Sequence, residues 1–528
     1  MSNDSNRSAL VTGTALLTVA SLIAKILSAV YRIPFQNMVG NVGFYVYQQI
    51  YPIYGIAMTV ALSGLPVFIS KLVVDAKTET DKLNIVYQIQ KILFIVCGLI
   101  FVGLQLGANQ IAIWMHDIQL SPVIYAVSWM FLVIPFLASW RGYFQGRYLM
   151  KPTAYSQVLE QLVRVSIILV TAVWAVRHHL DPHRMGSLAM LSAPFATLAS
   201  AGLIYYFLRK DHIRKLSRSY AIPGLSRRLL LEGATICLVA SVMLLLQLVD
   251  SFSVVAELTK LGNNQLMAQN IKGVYDRSQT LVQLGLTITT ASTTAILPQL
   301  VAAVKSKNQQ RYLQLAHGSI AVNFGLACAM SFGMLALMAA INPLLFATPE
   351  LNLTISVYCF SILAASIILV LNTIFQSHDV FGPTVIAIII AVVIKAAVNS
   401  LFIDQWGILG ASLATVSSLC AAILIMIVSG WKYLRDLISW SQLAKLVLIS
   451  AIMWSAVIGV RILIKAILIG KVTLRIMAGI QSIVGIGVGV FVFVIVCIMF
   501  KAFSDQEWLL IPMGNRILEI RGNYNENR

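Results

Sequence analysis

The sequence predicts an all-α membrane protein with fourteen transmembrane helices. Its 528 residues are 59% hydrophobic and only 11% charged, whereas a soluble protein carries about 25% charged residues. Apolar runs of the roughly 20 residues that a membrane-spanning helix needs recur along the whole chain. The net charge of +18 does not require a nucleic-acid partner, because Lys and Arg lie mostly in short loops between apolar runs, where they set membrane topology.

The apolar runs, numbered as spans 1 to 14, follow one another along the chain. The first is too long for a cleaved signal peptide, so we expect the short polar N-terminus before it to be a cytoplasmic tail. Spans 1 to 6 are predicted at about 9–33, 43–72, 84–107, 121–146, 153–177 and 187–208. Spans 7 to 14 are predicted at about 229–257, 266–300, 314–341, 351–377, 383–403, 407–431, 443–466 and 474–500.

Loop charges predict a multi-pass membrane protein with both termini in the cytoplasm, since internal loops carry the excess of Lys and Arg. The loop after span 6, RKDHIRKLSRSYAIPGLSRR, holds seven of them. Other internal cations are Lys71, Lys77, Lys82, Arg141, Arg147, Lys151, Lys305, Lys307, Arg311, Lys432, Arg435 and Lys445. The external loops hold fewer, chiefly Arg177, Arg184, Lys260, Lys465, Lys471 and Arg475.

An internal repeat divides the chain. FQGRYLMKPTAYSQVLEQLVR at 144–164 matches FQSHDVFGPTVIAIIIAVVIK at 375–395, and GLPVFISKLV matches AILPQLVAAVK at almost the same offset, aligning Pro66 with Pro298. Matched spans are six apart, so the two halves share one orientation, a parallel repeat in which transporters bind substrate between lobes. The predicted parts are an N-terminal lobe at 1–208, a basic cytoplasmic linker at 209–228, a C-terminal lobe at 229–431, the last two spans at 432–503 and a cytoplasmic tail at 504–528.

Spans 1 and 8 each carry several charges, which are costly in lipid. Lys25 and Arg32 share one face of span 1, being seven residues apart, and the sequence from 5 to 74 contains no acid. Snorkelling to a membrane interface is the alternative explanation for both. In span 8, Lys272 and Asp276 can pair at four residues' separation, whereas Arg277 points about 100° away from Asp276. A purely structural ion-pair cluster is the alternative there.

Other intramembrane charges lie in spans 5, 7 and 11. Glu160 and Arg164, four residues apart, are expected to form a structural ion pair. Asp250 has no cation three or four residues ahead and needs a partner from another helix, a proton or an ion, so it is a candidate for ion coupling. Lys395 has no acid within its own helical turns. Cations outnumber acids, so a space lined by these residues suits an anion, and phosphate fits the guanidinium fork. A phosphate-bearing lipid headgroup is the substrate class that these charges indicate.

Several motifs carry a family resemblance: AKILSAVYRIPFQNMVG in span 1, YPIYGIAMTVALSGLPVFISKLV in span 2, RGYFQGRYLMKPTAYSQVLEQLVR across spans 4 and 5, VYDRSQTLVQLGLTITTASTTAILPQL in span 8, and later FQSHDVFGPT and GILGASLAT. With these motifs the sequence resembles the MurJ-like lipid II flippases of the multidrug/oligosaccharidyl-lipid/polysaccharide (MOP) exporter superfamily. It is most similar to the YtgP- and SpoVB-like branch, and the resemblance implies a location in the bacterial plasma membrane.

The resemblance implies two lobes around a cationic cavity that binds the pyrophosphate of undecaprenyl-linked lipid II, with a groove near spans 13 and 14 for the lipid tail. By position Lys25 matches a cavity arginine of the family. Asp276 and Arg277 match an Asp-Arg pair whose arginine is functional. The expected substrate-binding residues are Lys25, Arg32, Asp276, Arg277 and Lys395. The chain departs from the Gram-negative type, which has arginine at the positions of Tyr31 and Ile56.

The expected function is a flippase that moves lipid II from the inner to the outer leaflet by alternating access, as a monomer without cofactor. Membrane potential, Na⁺ or H⁺ are the candidate energy sources. A flippase for another undecaprenyl-linked polysaccharide or a spore-wall precursor is the alternative. The cation excess argues against an exporter of cationic drugs. Short external loops, the first of them without acid, argue against a glycosyltransferase. The six cysteines lie singly and predict neither a disulfide framework nor a zinc site.

Overall fold

The computed structural model of the protein describes residues 16–17, 19–211, 222–511, 514–516 and 518–519, and this part of the chain is helical without a β-strand. The N-terminal tail before residue 16, half of the predicted linker (212–221) and the end of the C-terminal tail lie outside the described residues.

Each predicted span has a helical counterpart. Within the described part, twelve helices are long and apolar enough to cross a membrane: Val19–Asp75, Glu79–Trp114, Met150–Arg177, Pro182–Lys210, Val242–Lys260, Gln265–Lys305, Gln309–Phe346, Asn352–Ser377, Gly382–Trp406, Ile408–Ser429, Trp440–Leu468 and Leu474–Met499. Span 4 is a further crossing made of Ile118–Leu132 and Ile134–Gly146, bent by 40°. The predicted all-α polytopic class is confirmed.

The helical stretch Val19–Asp75 contains both span 1 and span 2. Its 57 residues reach about 85 Å, more than twice the roughly 30 Å of a bilayer's hydrocarbon core. The break between the two spans is Gly40, with φ 73° and ψ −178°, a conformation that glycine adopts at little cost. Counting this stretch as two crossings brings the number of spans to the predicted fourteen.

Short polar residues begin several of these helices. Thr78, Asn264 and Asn308 each accept a hydrogen bond from the backbone N–H three residues ahead. Such caps satisfy donors that the first helical turn leaves without an intrahelical acceptor. They explain where spans 3, 8 and 9 begin.

The chain folds into two compact units, Met1–Asp276 and Arg277–Arg528. In the first unit, Val242–Lys260 and Gln265–Tyr275 pack against Arg32–Thr59. A Cβ on Gly273 would lie 2.0 Å from the Asn41 carbonyl oxygen, so only glycine permits this approach. The sequence assigns these two helices to the C-terminal lobe, and the division into lobes by repeat stays a prediction.

In the second unit, Gln309–Phe346 packs against Trp440–Leu468 and Leu474–Met499. Away from this contact the last two spans expose large apolar side chains, among them Ile462, Leu463, Ile483 and Phe491. Lipid-facing helices require such a surface. The predicted lipid-tail groove in this region stays a prediction.

A short helix, Asp505–Trp508, follows the last span and is anchored through Glu507. The Glu507 carboxylate accepts hydrogen bonds from His317 Nδ1 at 3.1 Å, Gln442 Nε2 at 3.1 Å and Ser504 N–H at 2.7 Å. Burial favours a higher pKa, but the bonds from His317, Ser504 and Gln442 outweigh it and hold the Glu507 pKa below its usual 4.5. The C-terminal segment is therefore attached to spans 9 and 13.

Candidate anion-binding site

Two arginines of the first unit lie among four tyrosines, Tyr31, Tyr47, Tyr51 and Tyr54, which we term the tyrosine cage. Arg164 Nη2 donates hydrogen bonds to the hydroxyls of Tyr47 at 2.6 Å and Tyr31 at 3.1 Å. Arg164 Cζ lies 3.8 Å from the centre of the Tyr54 ring. Arg32 Cζ lies 4.2 Å from the centre of the Tyr51 ring, and Arg164 Cζ lies 5.6 Å from that same centre. Spans 1, 2 and 5 thus bring two guanidinium groups to one aromatic ring.

Neither arginine forms a salt bridge with a carboxylate within the part of the chain that the structure describes. Both side chains are only 1% exposed. Arg32 Nε and Nη2 and Arg164 Nε have no hydrogen-bond partner among the described residues. A buried cation without a counter-charge costs several kcal/mol, and cation–π contacts of about 2 kcal/mol offset only part of that. The cage therefore holds two positive charges that an anion would stabilise.

The predicted pair Glu160–Arg164 is wrong, because Glu160 pairs with Arg141. Arg141 Nη2 lies 2.7 Å from Glu160 Oε2, and both side chains are fully buried. Arg141 also donates to Ser156 Oγ at 3.0 Å and Ser200 Oγ at 2.6 Å. The expectation that Arg141 belongs to an internal loop is wrong as well, since it lies within the helix Ile134–Gly146. Because Arg141, from another helix, neutralises Glu160, the hydrogen bonds of Arg164 go to tyrosine hydroxyls instead.

Lys25 lies on the same helical stretch as Arg32, two turns earlier, with a half-buried side chain. That the two side chains share one face, as the seven-residue spacing predicts, stays a prediction. The part of Lys25 in a site with Arg32 also stays a prediction.

A second polar cluster of the first unit contains three of the predicted charges. Lys272 Nζ lies 2.5 Å from Asp276 Oδ1 with both side chains fully buried, the pair that the four-residue spacing predicts. The Tyr275 hydroxyl donates to Asp250 Oδ2 at 2.9 Å, so a neighbouring helix provides a partner that Asp250 needs. Asp276 Oδ2 has no hydrogen-bond partner among the described residues.

Arg277 follows Asp276 directly but bonds to different groups. Its Nη1 donates to Asn342 Oδ1 at 3.0 Å and Thr348 Oγ1 at 2.8 Å, and its Nη2 lies 3.7 Å from Glu350 Oε2. These partners belong to the end of span 9 and the loop after it. The 100° rotation between consecutive helical residues accounts for the separation of the two partner sets.

Lys395 lies in an enclosed setting of the second unit. Its Nζ donates to Asn399 Oδ1 at 2.9 Å and to the Ala411 carbonyl and Thr415 Oγ1, each at 2.8 Å. An ammonium group has three donors, and all three are used. The Lys395 ammonium group therefore has no N–H left in this arrangement for the expected contact with phosphate.

Sequence reasoning missed the tyrosine cage and the role of Arg164 in it. A signal was present, because Tyr47, Tyr51 and Tyr54 stand at i, i+4 and i+7 and so share one helical face. No group of three or more His, Cys, Asp or Glu suited to a metal ion occurs in the described ranges, and the six cysteines are free thiols.

These features define a class: a polytopic helical membrane protein with buried cations among its spans. Its fold matches the lipid II flippase MurJ in an inward closed conformation at a TM-score of 0.66 and 12% identity, covering 92% of this chain and 99% of that chain. It also matches an inward-facing multidrug resistance MATE transporter of the MOP superfamily at a TM-score of 0.64 and 14% identity. This match covers 78% of this chain and 95% of that chain. Both matches concern the fold alone and confirm the predicted all-α polytopic architecture.

The family follows from sequence. Residues 10–304 match the family described as polysaccharide biosynthesis protein, and the chain belongs to this family. The uncharacterized membrane protein YabM of Bacillus subtilis is 32% identical over 98% of this chain and 97% of its own length. The B. subtilis lipid II flippase MurJ is 26% identical over 79% of this chain and 81% of its own length. Stage V sporulation protein B of that organism is 33% identical over only 37% of this chain and 38% of its own length. Relatives with a stated activity are a flippase and transporters, as expected for a protein that is not an enzyme.

Proposed function

We propose that this protein is a flippase for an undecaprenyl-pyrophosphate-linked cell-envelope precursor, with lipid II as its substrate. The observation that carries the proposal is the unneutralised pair Arg32 and Arg164 in the tyrosine cage. A pyrophosphate offers the negative charge that these two guanidinium groups lack. It also offers several oxygens to the N–H groups that have no partner. Family membership and the similarity to a lipid II flippase support the same substrate class.

In the proposed cycle, the headgroup enters from the inner leaflet while the polyprenyl tail stays in lipid beside spans 13 and 14. Arg32 and Arg164 exchange their tyrosine contacts for phosphate oxygens, and Lys25 and Arg277 add positive charge along the route. The membrane potential contributes about 2.3 kcal/mol per charge per 100 mV to outward movement of an anionic headgroup. Asp250 is the candidate residue for coupling to an ion.

Complementation tests the proposal. A bacterial host depleted of its resident lipid II flippase is given the wild type, Arg32→Gln or Arg164→Gln. The control is Arg177→Gln, an exposed arginine at the end of the helix that carries Arg164. We expect growth with the wild type and the control but not with the two cage variants, at equal membrane levels. Growth supported by both cage variants would refute the cage as the headgroup site.

A flippase for a spore-wall precursor is the second candidate, because 37% of the chain is matched at 33% identity by stage V sporulation protein B. The same variants expressed in a sporulating host that lacks that protein distinguish the two. Rescue of sporulation without rescue of vegetative growth would favour this candidate over lipid II.

A further inference from the structure

The turn that joins spans 13 and 14, together with the helix ends beside it, is strongly basic. Arg461, Lys465, Lys471 and Arg475 lie within 15 consecutive residues, and no Asp or Glu occurs between 437 and 504. We term these four residues the basic turn. None of them forms a salt bridge with a described residue.

The two arginines of the basic turn are held against span 9 by one hydrogen bond each. Arg461 Nη1 donates to the Ala336 carbonyl, and Arg475 Nε donates to the Leu344 carbonyl at 3.2 Å. A guanidinium has five N–H donors, so most of them remain for another acceptor. Lys465, Lys471 and Arg475 are exposed and Arg461 is half-buried.

The depth of these cations matches the headgroup layer of a bilayer. The helix Trp440–Leu468 has 29 residues and is about 44 Å long, close to the 40–45 Å of a bilayer with its headgroups. Arg461 lies seven residues before its end, about 10 Å. Ile462, Leu463, Ile467 and Ile476 beside the basic turn are each more than half exposed, so this surface faces lipid.

Membrane topology does not account for the basic turn. Lys445 and Lys501 lie at the opposite end of the same hairpin, which the loop charges place in the cytoplasm. The basic turn therefore belongs to the external side, where no excess of cations is needed. Four uncompensated cations at headgroup depth on a lipid-facing surface are complementary to a phosphate-bearing lipid.

We propose that the basic turn is a binding site for the phosphate headgroup of an anionic membrane phospholipid. The two arginines, oriented by the Ala336 and Leu344 carbonyls, grip the phosphate, and Lys465 and Lys471 add charge at its rim. Phospholipid is the occupant rather than the transported lipid, because it is the abundant anion at an exposed apolar surface. This site is independent of the tyrosine cage and of the transport cycle proposed for it.

Native mass spectrometry of the purified full-length protein tests the site, with phosphatidylglycerol and phosphatidylcholine as probes. The test variant is Lys465→Gln/Lys471→Gln/Arg475→Gln. The matched control is Lys432→Gln/Lys445→Gln/Lys501→Gln, three exposed cations that belong to the opposite ends of the last spans. Arg461 is kept because it is half-buried. Removing three charges from an anionic lipid contact should weaken phosphatidylglycerol binding by on the order of 100-fold, while the control and phosphatidylcholine binding stay unchanged.

Three outcomes would overturn the proposal. Equal loss in the control variant would mean that binding follows net charge alone. Equal binding of phosphatidylcholine would mean that the cations reach any lipid phosphate without selectivity. The third outcome has two parts: undecaprenyl phosphate displaces phosphatidylglycerol from the wild type, and it binds the test variant as tightly as the wild type. The two lipids would then compete at a site other than the basic turn. Complementation by the test variant is measured separately, so failure here leaves the flippase proposal untouched.

Discussion

Replacing Arg141 should destabilise the protein far more than replacing Arg164, although both are buried arginines of the first unit. Arg141→Gln leaves the Glu160 carboxylate buried without the cation that it pairs with and removes the bonds to Ser156 and Ser200. Arg164→Gln removes two bonds to tyrosine hydroxyls but leaves no buried carboxylate without its ion-pair partner. The two changes therefore differ in the charge that remains, not in the size of the side chain.

The magnitudes follow from this difference. Breaking a buried ion pair by removing one partner costs about 3–5 kcal/mol, so Arg141→Gln should lower the free energy of unfolding by that amount. For Arg164→Gln the lost contacts are offset by no longer burying an unneutralised cation, and we expect a change below about 1.5 kcal/mol. The double variant Arg141→Gln/Glu160→Gln should recover at least half of the Arg141→Gln loss, because no charge remains buried.

Unfolding of the detergent-solubilised protein by sodium dodecyl sulfate, followed by circular dichroism, measures these free energies. The coupling energy of the double-mutant cycle should be large for Arg141 with Glu160 and small for Arg164 with Glu160. Equal losses for the two arginine variants, or a recovery of Arg164→Gln by Glu160→Gln, would refute the pairing.

Three more predictions concern single sites. Gly64→Ala should lower the free energy of unfolding by about 1–3 kcal/mol, because the new Cβ would lie 2.1 Å from Cys237 Sγ. Adding Cys237→Ala should recover part of this loss. An unchanged melting temperature of Gly64→Ala would contradict the contact. Lys395→Met should leave complementation intact at equal membrane levels, since all its donors are used internally, and a null phenotype would return Lys395 to the substrate route. Glu507→Gln should lower the melting temperature at pH 7, and the difference should shrink as the pH falls below 4.5. A depressed folded-state pKa contributes stability above the unfolded-state pKa, and that stability is lost as the pH falls through the folded-state pKa. A difference that stays constant as the pH falls would argue against the anchor.

Much of the architecture was predictable because it depends on local sequence. Apolar run length determines where helices cross a membrane, and every predicted span has a helix at its position. The Lys272–Asp276 pair formed as expected, since its four-residue spacing places both side chains on one helical face. Lys25 and Arg32 could likewise be singled out by the absence of acids around them.

The partners of buried charges were not predictable in this way. Glu160 had a cation one turn ahead in Arg164, yet it pairs with Arg141 from the preceding span, because helix packing decides which groups meet in the interior. Arg164 joins the tyrosine cage for the same reason. By itself the sequence determined the membrane class, the number of spans and the excess of cations, all of which follow from composition and helical periodicity. Only the tertiary structure decided which of those cations remain without a counter-charge, since neutralisation depends on contacts between helices distant in the chain.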